Sequence, residues 1–163
     1  MRFTVLVPLY LLCCAAFGAD LCAVAQNTAS WKNREVSFQV RLTSGYHGGH
    51  FIPANAAPRY TGRCIVYPIL PGELDFLAKG VAPVSGPQAE QIRKSLQSNL
   101  DSKHVGESCF ATSGVVKVID NYRYDNSSGR GNGFGYHGVY PVALVVDSLV
   151  SSRCDLKDGP AKR

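Results

Sequence analysis

Gly45-Tyr46-His47-Gly48 recurs as Gly135-Tyr136-His137-Gly138, and fourteen residues separate each copy from an Arg-Cys pair, Arg63-Cys64 or Arg153-Cys154. With His50, the two turns supply three imidazoles: His47, His50 and His137. Imidazole suits zinc or copper, and a His-x-x-His pair can close on one ion if the loop folds back. Neither turn contains a carboxylate, and no cysteine lies near them in sequence. Histidine beside glycine is also an ordinary exposed turn residue, so zinc or copper is the second reading and no cofactor the first. The fourteen intervening residues share no identity at matched positions. Coincidence, or two similar turns at one barrel rim, therefore accounts for the echo better than duplication.

Ligand binding is the chemistry these residue types favour. Tyr46, His47, Arg63, Arg123, Tyr136 and His137 lie on or near predicted strands and turns. Rings can stack on flat ligands while guanidinium groups meet anionic ones. Tyrosines also pack at core edges with wet hydroxyls, which is their commonest habit. Catalysis finds less support. Glu35, Glu73, Asp75, Asp120 and Asp125 have no spacing that makes two of them converge, and a trio such as His47, Glu35 and Arg41 can be assembled from almost any chain. Residues 133–138 match the dinucleotide fingerprint formally, but that fingerprint needs a helix next, and Val139 onward reads as a strand. Asn126-Ser127-Ser128 is a glycosylation sequon in a predicted surface loop.

The N-terminus indicates where this chemistry would take place. Arg2 precedes an apolar run from Phe3 to Phe17, about 15 residues, shorter than the ~20 a membrane span needs but suited to a signal peptide. Ala23 and Ala25 put small residues at −3 and −1 before Gln26, whereas cleavage after Ala19 would put Phe17 at −3. The expected organisation is a signal peptide over 1–25 and one exported domain over 26–163, secreted or periplasmic and not membrane-spanning once cut. Such a cut leaves Cys64, Cys109 and Cys154, an odd set from which one disulfide is expected in an oxidising compartment, whereas cleavage after Ala19 would retain Cys22 and make four. The net charge of +5 is scattered and has no basic run of the kind that marks a nucleic-acid arm. Nucleic acid is not expected as a partner.

The elements that must position these residues are mostly strands. Residues 35–43 alternate, with Val36, Phe38, Val40 and Leu42 on one face and Arg41 among the polar residues on the other. Phe51 and Ile52 suggest a short second strand, and residues 60–67 a third that Pro68 ends. One helix follows: Ser85 and Gln88 have capping-box spacing, and Ala89, Ile92, Leu96 and Leu100 form its apolar stripe. Residues 115–124 and 139–150 close the chain as strands, the last apolar enough to be buried on both faces. The loop between them is polar, glycine-rich and expected to be mobile. The fold class is thus mainly β with one helix (α+β). Its order βββαββ is that of a five-stranded OB-like barrel or half-barrel.

The leading functional expectation is a non-catalytic extracytoplasmic module that binds a protein or glycan of the cell envelope. A metal-binding exported protein using the two Tyr-His turns is the alternative, and a small secreted hydrolase is the third reading.

Overall fold

The computed structural model describes residues 20–45, 48–56, 62–72, 80–101 and 108–154. Two short helices open it, α1 (Leu21–Gln26) and α2 (Thr28–Trp31). Strands β1 (Glu35–Gly45), β2 (Gly48–Pro53) and β3 (Tyr67–Ile69) follow, then helix α3 (Gly86–Asp101). Strand β4 (Ser108–Val118), a small ribbon of β5 (Tyr124–Asp125) and β6 (Arg130–Gly131), a 3-10 turn at Tyr136–Gly138 and strand β7 (Val142–Ser152) complete it. The main sheet runs β2-β1-β4-β7-β3. It is antiparallel except for β3, which pairs parallel with β7. The two edges approach each other, because Phe51 of β2 exchanges both backbone hydrogen bonds with Val66, just before β3, at 2.9 and 3.1 Å. The result is a curled half-barrel of α+β class, with the helix between the third and fourth barrel strands, in the order anticipated.

Alternation explains the interior. Val36, Phe38 and Val40 of β1 point inward with Phe51, Phe110, Val116, Val142, Leu144 and Val146, and α1 and α3 add Leu21, Val24 and Ile92. Each such side chain taken from water contributes roughly 1.5–3 kcal/mol. The opposite face of β3 and β7 holds a second cluster: Tyr67, Ile69, Ala143 and Val145 with Phe134 and Tyr140. Strand β7 is therefore buried on both faces over residues 142–146. The stripe of α3 packs as expected at Ala89 and Ile92, with Leu96 against the core. The side chain of Leu100 lies outside the described residues.

Several boundaries move. Pro68 sits inside β3 rather than ending a strand. An edge strand with one ladder partner tolerates the missing N–H. Strand β4 begins at Ser108, seven residues earlier than its apolar run suggests, because Thr112 and Gly114 occupy inward positions usually held by larger apolar groups. Arg41, expected on the wet face, is only 1% exposed. Residues 54–56 fold over it, and its Nη2 donates to the carbonyls of Ala54 (3.1 Å) and Ala56 (2.5 Å). Its Nε has no hydrogen-bond partner among the described residues.

The cysteines pair differently from the expected single bond and spare thiol. Cys109 bonds Cys154, joining the start of β4 to the residue pair after β7, and Cys64 bonds Cys22. A boundary at Ala25 would cut through this unit, since α1 buries Leu21 and Val24 and carries Cys22. Two disulfides suit an oxidising, extracellular type of environment. Among the described residues, no helix is long and apolar enough to cross a membrane.

Two substitutions test this packing. A Cβ on Gly114, beside the register shift of the β4–β7 ladder, would lie 2.1 Å from the Val145 carbonyl oxygen, which is backbone and cannot swing away. Gly114→Ala should cost about 3 kcal/mol in urea unfolding, the upper range for overpacking. Arg41→Ala removes the donor to two loop carbonyls and leaves a cavity, so a loss of about 2–4 kcal/mol is expected in the same measurement.

Candidate functional site

The connection between β4 and β7 is built from the backbone outward. Lys32 pairs with Asp120 at its start, in an exposed contact. Arg123 N donates to Asn132 Oδ1 at 2.8 Å, and Asn132 N returns a bond to Arg123 O at 3.2 Å. Between them, β5 and β6 pair through Tyr124–Gly131 and Asp125–Arg130. The ribbon turns at 126–129, where the Asp125 carboxylate accepts from Ser127 N (2.8 Å), Ser127 Oγ (2.6 Å) and Ser128 Oγ (2.7 Å). The Ser127 hydroxyl, then that of Ser128, then the Ser127 N–H hold this carboxyl down at about 2. The sequon Asn126-Ser127-Ser128 lies on this exposed turn.

The second half of the connection closes on itself. Gly133 N donates to Gly138 O at 2.8 Å, and Phe134 and Tyr140 exchange backbone bonds at 2.7 and 3.1 Å. Backbones approach so closely here that a Cβ on Gly138 (φ +65°) would lie 2.1 Å from Gly131 O. Phe134 anchors the loop, fully buried against β3 and β7. The Tyr122 hydroxyl donates to Val139 O at 2.7 Å, tying the two halves together. His137 is left in the left-handed region (φ 61°), a conformation that is costly outside glycine and that persists only where surroundings impose it. The loop expected to be mobile is thus a braced knot with a ribbon inside it. Its Gly-x-Gly-x-x-Gly segment leads through a 3-10 turn into a strand, so no helix N-terminus is there to hold a pyrophosphate.

The predicted site residues are placed as follows. Tyr46 and His47 lie outside the described residues. Arg63 is exposed beside Cys64, and Arg123 is exposed at the start of the ribbon. Tyr136 is 60% exposed, and its ring meets that of His137 edge-on with centroids 4.0 Å apart. His50 Nδ1 lies 3.2 Å from the Tyr140 hydroxyl, and the Tyr140 ring is tilted against Tyr67 at 5.2 Å. Burial pushes the Tyr140 phenol above its ordinary value. Among the described residues, no three of His, Cys, Asp or Glu cluster so as to hold a metal ion.

His50 of β2 contacts Tyr140 of the β4–β7 connection. His50 stands two residues beyond Gly48, and Tyr140 two residues beyond Gly138, so equivalent positions after the two motifs touch. The site is therefore a rim at which strand β2 and the β4–β7 connection come together. Compared with known proteins, the chain matches no family model, no curated protein and no solved structure. What the rim can do rests on its own chemistry: exposed rings at Tyr124 and Tyr136, cations at Arg123 and Arg130, and hydroxyls and amides between them. Tyr124, one of the tyrosines the sequence places near these strands, belongs to the ribbon with Arg130; Arg130 carries no sequence signal beyond the density of Tyr, Gly, Asn and Ser over 121–140.

A concavity of about 720 Å³ lies toward the far ends of β2 and β7, among Asp20, Ser37, Gln39, Asn55, Ser113 and Val150. None of the predicted site residues lines it. Asp20, its one carboxylate, is engaged in capping α1 through Cys22 N at 3.0 Å. The groove thus carries no acid–base pair.

The Asp125 turn gives a pH-dependent signature. Its folded value of about 2 lies below the ordinary 3.8, so the turn draws stability from the ionised carboxylate above the ordinary value and loses it as pH falls through about 2. Carboxyl NMR should show a midpoint near 2, with the Ser127 amide shift following it. Asp125→Asn should abolish that transition.

Proposed function

We propose that this protein is a non-catalytic recognition module of an extracytoplasmic compartment, binding a protein or glycan of the cell envelope through the rim around Tyr124 and Tyr136. One observation carries the reading: a backbone-braced loop presents exposed tyrosines and arginines instead of burying them. Exposed aromatics on a pre-ordered loop are what recognition requires. Tyr and Trp give large contact area with few rotatable bonds, and Ser, Gly and Asn add adaptable hydrogen bonding. Ordering such a loop beforehand lowers the entropy lost on association.

Architecture supports the same place. Barrels of this strand order bind oligomeric ligands with the outer face of the second and third strands and with the first-second and fourth-fifth strand loops. In sequence, the first echo motif falls between β1 and β2 and the second within the β4–β7 connection. This is an analogy of fold and carries no ligand identity with it. There is one difference from that pattern. Phe134 and Tyr140 cover the outer face of β3, so contact with a ligand shifts outward to the connection itself. Arg123 and Arg130 favour an anionic partner surface, in keeping with the excess of positive charge.

Binding of the purified protein to envelope fractions tests the reading, with fractions treated beforehand by protease or by glycan-cleaving enzymes. The untreated fraction should retain the protein, and one of the two treatments should abolish retention and so name the partner class. Tyr124→Ala combined with Tyr136→Ala should weaken retention by about 30-fold or more, the scale of a hot-spot loss, without lowering the melting temperature. Retention that is absent in the native protein, or unaffected in the double variant, would rule the rim out.

A further inference from the structure

We propose that the leader of this chain is cut between Gly18 and Ala19, so that the exported protein begins at Ala19 and retains Cys22. The sequence around Ala23-Val24-Ala25 satisfies the small-residue requirement of a signal peptidase, but the fold opposes a cut there. Such a cut would remove Asp20, whose carboxylate accepts from Cys22 N at 3.0 Å and caps α1. It would remove Leu21 and Val24, 3% and 0% exposed, which pack into the same cluster as Phe38 and Phe110. It would also separate Cys22 from Cys64, leaving a thiol at a position only 6% exposed in the core. Gln26, the residue that would become the new terminus, sits in the last turn of α1 with its side-chain amide 3.7 Å from the Cys64 sulfur.

A peptidase reads the chain before it folds, so a compatible site must also exist in the sequence. Small side chains at −3 and −1 are the requirement. Among cuts that spare Cys22, one after Ala19 places Phe17 at −3, and those after Ala15 or Ala16 place Cys13 or Cys14 there. A cut after Gly18 places Ala16 at −3 and glycine at −1, the smallest pair available. The step is amide hydrolysis. Water adds across the Gly18–Ala19 bond, its hydroxyl going to the Gly18 carbonyl carbon and its proton to the Ala19 nitrogen, and transfer of the acid proton to the amine leaves a carboxylate and an ammonium group. The odd cysteine count then disappears, since Cys22, Cys64, Cys109 and Cys154 make two complete pairs.

The test is the intact mass and N-terminal sequence of the protein recovered from the extracytoplasmic fraction of cells expressing the full chain. The mass is read after alkylation with and without prior reduction. Expected are a terminus at Ala19, no alkylation before reduction and four alkylated cysteines after it. A terminus at Gln26, any other terminus, an uncut chain, or alkylation of Cys64 without reduction would each overturn the proposal. Cys22→Ser should start at the same Ala19 and expose one alkylatable thiol at Cys64, whereas a Cys22→Ser product with no new thiol contradicts it. Ala16→Tyr should lose the product that begins at Ala19, and undiminished yield of that product also contradicts it.

Discussion

Closure of the sheet is the constraint on which the rest of this molecule depends, and it passes through one residue pair. Phe51 and Val66 exchange both backbone hydrogen bonds and are themselves fully buried. Their pairing brings the β2 edge beside the short β3, which in turn lies parallel to β7. Without that pair the interior row of Val36, Phe38, Phe110 and Leu144 would face water along one side, and β3 would be three residues held by a single neighbour. The same closure places His50, one residue before Phe51, within reach of Tyr140. The hydrophobic core and the candidate rim are thus consequences of one geometric event.

What the sequence made legible follows from how much each segment depends on distant partners. Strand β1 reads clearly because its own alternation separates core from surface, and α3 reads clearly because its stripe repeats at helical spacing. Strand β4 was legible only in its second half. Its first half places Thr112 and Gly114 on the buried side, where a bulge and a close strand leave no room for larger groups, and small residues carry no period of their own. Arg41 illustrates the same limit. Alternation assigns a residue to a face, but nothing local says that residues 54–56 will cover that face, so a buried guanidinium looked like a wet one. Cys22 was legible only conditionally, since its survival, and with it an even cysteine count, depends on where the leader ends.

At the rim, residue types were legible and contacts were not. Tyr136, His137 and Arg123 stand out by composition and lie where a ligand could reach them. Tyr140 and Tyr67 have the same chemistry but are buried, because a loop that folds back over β3 needs rings to fill the space beneath it. Sequence cannot sort tyrosines into those that pack and those that present, since both uses place a ring near glycine and both keep the hydroxyl near a polar partner. Tyr140 finds that partner in His50 and Tyr122 in Val139 O, whereas Tyr124 and Tyr136 expose 44% and 60% of their surface.

The division of labour within residues 120–141 bears on how such a surface can be specific. The backbone is fixed by close glycine–carbonyl approaches at Gly131, Gly133 and Gly138, where a Cβ would not fit, and by the Asp125 carboxylate turn. Exposed Asp125, Ser127, Ser128 and Asn132 share in that bracing, whereas the rings of Tyr124 and Tyr136 stand exposed beside it. A loop built this way holds its ring and cation positions before any ligand arrives, and binding then orders side chains instead of backbone, which is the smaller entropic cost. The left-handed His137 fits the same scheme. It lies between the Phe134 anchor and the Gly131–Gly138 approach, beside the exposed Tyr136 ring that it meets edge-on. The stability of the knot is thus what sets the geometry of the exposed residues.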